Sequence, residues 1–600
     1  MILPENLTYN IKWVKEAAGC QASGSLRFTG MNNGMERYGY FMTLKERFRK
    51  ENLLYNLLSL PVLLYTVYLL AMIINASFGG ASYPNEYREA ANVQLTQWFM
   101  NGKNPYSTAN LSGEVPGMIY LYGPFYSVVT ALLGFFIRTD IVVLHHIVTF
   151  LAVLLTGIMM AKIVWEHSLT ITAPLTAFLF GILCHWRWGS YVSAAPDSFG
   201  LMLLVLGLFI LTREKLRGKP YAAALVTVAA FFTKQYFVMI FATSFAFFFF
   251  LKKKDVVKYL IAVAGMFAFM AVVLTLTCPM FWSYTIYLMK GTGSGVSKGK
   301  SGTSYSQSQT MYIGGMFFFL FLAAAVDFFR TAVWKRGIRI GLQWKDGDKP
   351  LFPVKVSNPE EYGRRDILVD ILLWGHMAVA GICLLYIGRN NGAWISYYLQ
   401  LFMPALMMEA LMAVDNFQTE RCFRFATWFR SASFVLYCCL IFVTISKTST
   451  RLVVDVLSAE EEAAWEEAYE ILDDALPEGD TYYMPVLCFH AFVNDRYAYN
   501  TGQPFVVSEH FYDEWKGSET YQKLFPYAGD IFAQNLAFRE TIIEKVRNGG
   551  YALVTNIKET DVVFTEEDLS VRYEKSRTLS LRTGRQTWEV DFWTLKQKGM

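Results

Sequence analysis

The chain has 600 residues, of which 54% are hydrophobic and 16% aromatic but only 17% charged, which is too apolar for an ordinary soluble enzyme. The formal net charge is only +4, and the Lys and Arg residues stand in short blocks between apolar runs, so no nucleic acid is expected as a partner. The composition therefore predicts an α-helical polytopic membrane protein that has the lipid bilayer as its surroundings.

The basic blocks predict how the chain is threaded through the membrane. Residues 1–50 contain no apolar core of signal-peptide length and end in LKERFRK, so we expect a cytoplasmic N-terminal segment before a retained first span. The blocks at 212–219 and 251–258 are also expected in the cytoplasm, and the apolar stretch between them should form two short helices that turn near TKQ at 233–235. Charge parity then leaves the apolar run 117–137 as a juxtamembrane or re-entrant segment on the outer side.

About eleven transmembrane helices result from this reading, and they set the domain boundaries. The predicted spans are 52–78, 141–164, 170–187, 197–212, two short helices in 220–250, 259–280, 310–334, 367–387, 393–414 and 431–447. Residues 51–447 form the predicted transmembrane domain, in which 79–140 is a first external loop with juxtamembrane helices. A second external loop, 281–309, is rich in Gly, Ser and Lys and is expected to be flexible.

Residues 448–600 are predicted to form a small extracytoplasmic α/β domain. An acidic helical stretch, SAEEEAAWEEAYEILDDAL, precedes candidate strands in TYYMPV, YALVTN and WEVDFWTLK. No GxGxxG or GxxxxGK[ST] motif occurs, so a nucleotide-binding role is unsupported. The eight cysteines contain no CxxC pair and the histidines show no HxxxH or HExxH spacing, so neither a metal nor another cofactor is expected.

Two glutamates follow the first apolar run. On a helical wheel Glu86 and Glu89 are neighbours at a spacing of three, while the opposite side is apolar and comprises Tyr87, Ala91, Leu95, Trp98 and Phe99. This pattern predicts a helix in the membrane interface, with its apolar side in the lipid boundary and its carboxylates facing water or a protein cavity. A merely solvated face is the simpler interpretation of such a pair.

Several short polar motifs come after these glutamates in a recognisable order. They are GKNPY at 102–106, YGPFY at 122–126, APDS at 195–198, TKQ at 233–235 and GRNNGAWISYYLQ at 388–400. With Glu86 or Glu89 in the first external loop, this order resembles the GT-C superfamily of integral-membrane glycosyltransferases over roughly residues 50 to 415. It looks closest to the mannosyl- and aminoarabinosyl-transferase-like branches. The chain departs from many members by having Glu where they carry a catalytic Asp, and it has no WWD-like motif.

The resemblance implies an inverting glycosyltransferase that moves a hexosyl or pentosyl group from a polyprenyl-phosphate donor to an extracytoplasmic acceptor, which is a cell-envelope glycan, a lipid-linked saccharide or a protein. This chemistry needs a base for the acceptor hydroxyl, for which Glu86 and Glu89 are the candidates, with a preference for Glu89 because it lies deeper in the predicted helix. It also needs groups that stabilise the departing phosphate. The predicted substrate- and phosphate-binding residues are Arg88, Asn104, Tyr106, Tyr122, Asp197, Lys234, Gln235, Arg389 and Asn391.

Structural interpretations compete with several of these roles. Lys234 and Arg389 at the external ends of spans commonly snorkel to the interface, and Asp197 directly after Pro196 is a candidate helix cap. His145, His146 and His376 lie in or near apolar runs, where interhelical hydrogen bonding is the expected role.

Two other functions compete with glycosyl transfer. A transporter or flippase of lipid-linked saccharides usually shows internal repeats with polar groups at mid-depth, whereas the polar motifs here gather on the predicted outer face. A catalytically inactive scaffold of the same fold is the other alternative. The predicted location is a plasma membrane with the active site and C-terminal domain outside.

Overall fold

The protein is described by a computed structural model. Its described residues are 53–78, 83, 89–111, 120–186, 191–213, 215–288, 320–329, 339–340, 354–355, 367–387, 396–419, 457–475, 481–482, 509–557, 565–583 and 586–596, with the single positions 435, 438, 439, 442, 446, 487 and 490.

The first two thirds of the described chain are helical. The helices are α1 Leu53–Leu57, α2 Ser59–Phe78, α3 Glu89–Met100, α4 Phe125–Gly134, α5 Ile141–His167, α6 Thr172–Leu183, α7 Pro196–Thr212, α8 Lys219–Thr233, α9 Met239–Leu251, α10 Lys253–Thr277, α11 Ile367–Ile387, α12 Ser396–Leu401 and α13 Met403–Thr419. Residues 320–328 are also helical, and a two-stranded antiparallel ribbon pairs β1 Arg339–Ile340 with β2 Val354–Lys355.

Four helices in the described part of the chain are long and apolar enough to cross a bilayer. They are Tyr55–Phe78, Ile141–His167, Lys253–Thr277 and Leu368–Ile387. Five shorter apolar helices have 10 to 17 residues, which corresponds to about 15 to 26 Å at 1.5 Å per residue, less than the hydrocarbon core of a bilayer. The chain is therefore a membrane protein with a mostly helical fold, while the number of eleven spans and their orientation stay predictions.

The predicted break near TKQ is confirmed. Helix α8 ends at Thr233, Lys234 is extended with φ −158° and ψ 126°, and a 3₁₀ turn at Gln235–Val238 leads into α9. The run 117–137 contains α4, whose ten residues span about 15 Å, half of a bilayer core, as expected for a segment that does not cross.

The interpretation of the first external helix as a lipid-facing interfacial helix is wrong. In α3 the residues from Glu89 to Thr96 are all buried, and the helix packs against α4 and α5. Ala91 and Leu95, which belong to the predicted lipid-facing side, are covered by protein. The helical wheel identifies which side is apolar but does not say whether lipid or protein covers it.

The beginning of the predicted flexible loop is a packed helical turn. Residues Ser283–Leu288 form a π-type turn in which Tyr284 and Tyr287 are buried. The aromatic side chains of this turn supply the apolar surface that holds it, and the Gly/Ser/Lys-rich sequence begins after it. Residues 289–309 lie outside the described residues.

The C-terminal part is an α/β unit. Its helices are α14 Ala459–Ala475, α15 Glu509–Lys516, α16 Glu519–Leu524, α17 Ala528–Arg547 and α18 Glu566–Ser570, and its strands are β3 Thr481–Tyr482, β4 Leu553–Ile557, β5 Tyr573–Thr583 and β6 Gln586–Leu595. The sheet order is β3-β4-β6-β5, in which β3 and β4 are parallel and the other two pairings are antiparallel. The three candidate strands are confirmed, whereas β5 was not predicted because the residues after Tyr573 are mostly polar and exposed.

The C-terminal unit packs on residues of both predicted external loops. The ring of Tyr287 lies 5.3 Å from the rings of Tyr521 and Phe525, measured between centroids. The side-chain amide of Gln534 donates to the carbonyl oxygen of Asn110 at 3.1 Å. The α/β unit is therefore located at the same end of the helices as the predicted site.

Candidate functional site

Glu89 stands in the first turn of α3 and is completely buried. Its Oε1 accepts a hydrogen bond from the backbone N–H of Ala194 at 2.6 Å. The Nε2 atom of His146 lies 3.8 Å from the same oxygen. A buried carboxylate needs such partners because burial removes its hydration. Of the two predicted surroundings, water or a protein cavity, water is therefore wrong for Glu89, since the carboxylate lies inside the protein.

His146 is fixed by its other ring nitrogen. Nδ1 lies 2.6 Å from the carbonyl oxygen of Ser77, and because a carbonyl only accepts, Nδ1 carries the proton. Nε2 then faces Glu89 with a lone pair when the ring is neutral, or with a second proton when it is charged. At 3.8 Å, Nε2 of His146 and Oε1 of Glu89 lie beyond hydrogen-bond distance, so the ring neighbours the carboxylate without bonding to it in this structure.

The residues from Ser193 to Asp197 connect two parts of the site. The carbonyl oxygen of Ser193 accepts from the hydroxyl of Thr149 at 2.9 Å, and the N–H of the next residue, Ala194, donates to Glu89. Three residues further on, Asp197 begins α7 and pairs with Lys234. Because three residues span at most about 11 Å, Glu89 and Lys234 are held in one neighbourhood by this segment.

Lys234 and Asp197 form a buried ion pair. The Nζ–Oδ1 distance is 2.8 Å, and the two side chains are 1% and 4% exposed. The Lys234 ammonium also lies over the ring of Tyr122, 4.3 Å from its centroid, and 5.1 Å from the centroid of Tyr236. The snorkelling interpretation of Lys234 is therefore wrong. So is the cap interpretation of Asp197, because the N-cap of α7 is Ala195 and has no side-chain capping bond.

Tyr236 extends the pair to the motif at 388–400. Its hydroxyl lies 2.8 Å from Oδ1 of Asp197 and 2.8 Å from Oε1 of Gln400. A phenol has one hydrogen, and Nε2 of Gln400 has no hydrogen-bond partner in the described part of the chain. Exchanging the oxygen and nitrogen of this amide resolves both points, because Gln400 then donates to Tyr236, which donates to Asp197.

Gln235 ties the motifs together. Its amide nitrogen donates to the carbonyl oxygens of Leu121 and Thr285, both at 2.8 Å, which fixes the segment before Tyr122 and the turn at Ser283–Leu288. Its observed contacts are with the backbone, so it positions the site.

Asn104 and Tyr106 likewise support the surrounding structure. The amide nitrogen of Asn104 donates to the carbonyl oxygen of Thr277 at 2.5 Å, while its Oδ1 accepts from the N–H of Tyr106 at 3.0 Å. Tyr106 is fully buried, with its ring 5.3 Å from that of Phe281. Burial, with smaller contributions from Cys278 and Tyr284, raises the pKa of Tyr106 well above its ordinary value, so the phenol remains protonated. Both residues thus fasten the GKNPY turn to the end of α10.

Tyr126 lies between the two charged groups of the site. Its hydroxyl is 3.0 Å from Nδ1 of His145 and 3.1 Å from the hydroxyl of Thr149. Burial raises the pKa of Tyr126, the hydrogen bond with Thr149 lowers it, and the negative charges of Glu89 and Asp197 raise it further. This phenol is therefore a neutral hydrogen-bonding group near both carboxylates.

Sequence reasoning missed four of these contributors, namely His146 as a partner of Glu89, Tyr126, Tyr236 and Gln400. The expectation of interhelical hydrogen bonds is confirmed for His145, for His146 and for His376, whose Nδ1 lies 2.9 Å from the hydroxyl of Thr243. Tyr126 and Gln400 are the last residues of two of the motifs and Tyr236 directly follows TKQ, but nothing in the sequence distinguishes these three side chains from their neighbours. Among the described residues no three His, Cys, Asp or Glu side chains gather as a metal site.

Four of the predicted site residues lie outside the described residues, namely Glu86, Arg88, Arg389 and Asn391. Their roles stay predictions.

No known family profile and no curated protein matches this sequence. The fold is similar to the oligosaccharyltransferase of Archaeoglobus fulgidus in the apo form, with a TM-score of 0.48 and 10% identity over 84% of this chain and 70% of that one. It is also similar to ArnT from Cupriavidus metallidurans bound to undecaprenyl phosphate, with a TM-score of 0.49 and 11% identity over 88% of this chain and 97% of that one. At such scores the role of each residue has to come from this chain's own contacts.

Proposed function

We propose that the protein is a membrane glycosyltransferase that moves a sugar, with inversion, from a polyprenyl-phosphate donor to an extracytoplasmic acceptor. The observation that carries the proposal is the segment from Ser193 to Asp197. The N–H of its Ala194 donates to the buried carboxylate of Glu89, and its Asp197 forms a buried ion pair with Lys234. Ala194 and Asp197 are at most about 11 Å apart along the chain. A carboxylate beside a cation is the combination that inverting transfer from a phosphate leaving group requires.

Glu89 is the proposed general base. The N–H of Ala194 orients its carboxylate beside the ring of His146. Because the carboxylate is buried, acceptor binding would have to open this part of the site before the attacking hydroxyl gives its proton to Glu89. The ring of His146, fixed at Nδ1 by the carbonyl oxygen of Ser77, faces the same carboxylate at 3.8 Å and helps to position it. After transfer the proton taken from the acceptor is on Glu89.

Lys234 is the proposed partner of the carrier phosphate. Among the contacts between described residues, Asp197 takes one of the three ammonium hydrogens, and the faces of Tyr122 and Tyr236 surround the remainder. A phosphate that approaches this group would compete with Asp197 for the ammonium. Negative charge that develops on the leaving phosphate would be stabilised most strongly in such a desolvated place.

The complete burial of Glu89 favours an alternative assignment of the base. In this alternative Glu89 holds Ala194 and thereby positions Asp197, and the base is Glu86, three residues earlier in the sequence. Both assignments require the same reaction but differ in which carboxylate is indispensable for proton transfer.

The test uses Glu89→Gln, Glu86→Gln and the double variant of the full chain. The assay follows release of undecaprenyl phosphate from a panel of undecaprenyl-phosphate hexoses and pentoses, with cell-envelope extract as the acceptor source, and binding of undecaprenyl phosphate is measured separately. Loss of the true base should reduce turnover on the order of a hundredfold with carrier binding retained. Turnover near the wild-type rate in all three variants contradicts the base assignment, and absence of turnover with every donor for the wild type contradicts the function.

A further inference from the structure

A cavity of about 230 Å³ lies at the opposite end of α8 from the candidate site. The fifteen residues of α8 separate Lys219 at its start from Lys234 after its end by about 22 Å. The cavity is formed where α7 ends and α8 begins, and where α9 ends and α10 begins. By the charge pattern of 212–219 and 251–258, this is the predicted cytoplasmic end of the helices.

The cavity is cationic. Lys219, Lys252 and Lys258 line it together with one acidic residue, Asp255, so the lining has an excess of two positive charges. Lys219 is only 9% exposed, and its ammonium donates to the carbonyl oxygen of Leu211 at 3.1 Å. Asp255 and Lys258 form a partly exposed pair at 3.3 Å. Such a lining attracts an anion and offers ammonium hydrogens to its oxygen atoms.

The surroundings of the cavity are apolar and face outward. Leu216 and Tyr221 belong to the lining, and their side chains are 40% and 52% exposed. One turn further along α8 and α10, Leu225 is 60% exposed and Ile261 is 68% exposed. Exposed apolar side chains of this kind on a membrane protein contact acyl chains. A ligand that joins a phosphate to hydrocarbon chains matches both features, whereas a free phosphate uses only the lysines.

We propose that this cavity binds the phosphate of an anionic phospholipid head group from the inner leaflet. The volume suffices for a small polar group, because a cavity of about 150 Å³ already accommodates benzene. Basic pockets between membrane helices at the cytoplasmic surface are a recurrent type of anionic-lipid site. The site is separate from the proposed transfer site, and the inference does not depend on the proposed function.

The test measures thermal unfolding of the purified full chain in an uncharged detergent. Phosphatidylglycerol, phosphatidylcholine and inorganic phosphate are added in turn to the wild type, to Lys252→Gln/Lys258→Gln and to Lys254→Gln. Lys254 belongs to the same basic block but does not line the cavity, which makes it the matched control. A ligand that binds only the folded state raises the melting temperature, and the stabilisation grows with the logarithm of the ligand concentration divided by the dissociation constant.

Phosphatidylglycerol should raise the melting temperature of the wild type and of Lys254→Gln, and phosphatidylcholine should not. The double variant should bind phosphatidylglycerol about 25-fold more weakly, because each lysine near an anionic lipid surface contributes about 1 kcal/mol, or about 5-fold. A shift with inorganic phosphate that is also lost in the double variant would assign the site to free phosphate. Equal phosphatidylglycerol shifts in the double variant and the control, or no shift in the wild type, would overturn the proposal.

Discussion

The ammonium of Lys234 donates to Oδ1 of Asp197 at 2.8 Å, and both side chains are almost completely buried. The pair joins the start of α7 to the extended residue between α8 and the following 3₁₀ turn. Lys234 interrupts an otherwise apolar stretch and follows the last residue of α8. Its ammonium group neutralises the carboxylate of Asp197 and lies against the ring of Tyr122.

The single variant Asp197→Asn is expected to lose stability on the order of 3–5 kcal/mol, because it leaves the Lys234 charge buried without a counterion. Replacing both residues by apolar ones, as Lys234→Met/Asp197→Leu, should recover most of this loss. The double variant should nevertheless fail to bind undecaprenyl phosphate. Thermal unfolding and undecaprenyl-phosphate binding of the purified chain measure the two effects. Binding at wild-type strength in the double variant would contradict the role of Lys234 as the partner of the carrier phosphate.

His146 and Glu89 are expected to act as one unit. The variant His146→Phe should slow transfer because Glu89 loses the ring nitrogen that faces its Oε1 at 3.8 Å and helps to position the carboxylate. Combined with Glu89→Gln it should add little further loss, since residues that act together show strongly non-additive effects. Transfer rates of the two single variants and the double variant provide the cycle. If the fold-loss of transfer rate in the double variant equals the product of the two single fold-losses, His146 and Glu89 have independent roles and the prediction is contradicted.

Gly123 is expected to tolerate no side chain. A Cβ at this position would lie 1.9 Å from the carbonyl oxygen of Phe232, a backbone atom that has to shift. Gly123→Ala should therefore displace Tyr122 from Lys234, lowering both the melting temperature and the affinity for undecaprenyl phosphate.

Gly265→Ala is the matched control, because a Cβ there meets nothing within 4 Å and alanine favours the helix by about 1 kcal/mol. Similar behaviour of the two variants would contradict the close approach of Gly123 and Phe232.

The C-terminal unit carries an acid-sensitive helix start. Hydrogen bonds from the N–H of Thr565, from Arg547 and from the Thr565 hydroxyl lower the pKa of Asp568 below its ordinary value of 3.8. A lowered folded pKa stabilises the domain above the unfolded value, and this contribution is lost as the pH falls through the folded pKa.

Asp568→Asn should therefore lower the melting temperature at pH 7, with a difference that shrinks below about pH 4. Tryptophan fluorescence during thermal unfolding, recorded between pH 3 and pH 8, measures it. A difference independent of pH would contradict the assignment.

The topology is testable by cysteine labelling from outside intact cells. On a background without native cysteines, Lys103→Cys in the first external loop should react with an impermeant maleimide. A cysteine at Gly347 should react only after the cells are opened, because the block 335–366 is predicted to be inside. The reverse labelling pattern would invert the predicted orientation.

Much of the helical architecture followed from the sequence. Long apolar runs indicate helices because the bilayer requires every backbone polar group to be paired within the segment. The polar TKQ marks a break in an otherwise apolar stretch, and WEVDFWTLK in the C-terminal unit alternates apolar and polar residues over its first five positions. Each of these signals is local, so it is readable from neighbouring residues.

The roles within the candidate site are different because they depend on contacts between distant residues. Glu89 accepts its hydrogen bond from Ala194, 105 residues further along the chain, and the position of a carboxylate on a helical wheel does not reveal such a partner. The sequence determined that the protein is a helical membrane protein with polar motifs in a given order. Only tertiary packing decided that α3 is covered by protein, that Lys234 is paired with Asp197, and that His146 faces Glu89, since burial and pairing arise where separate elements meet.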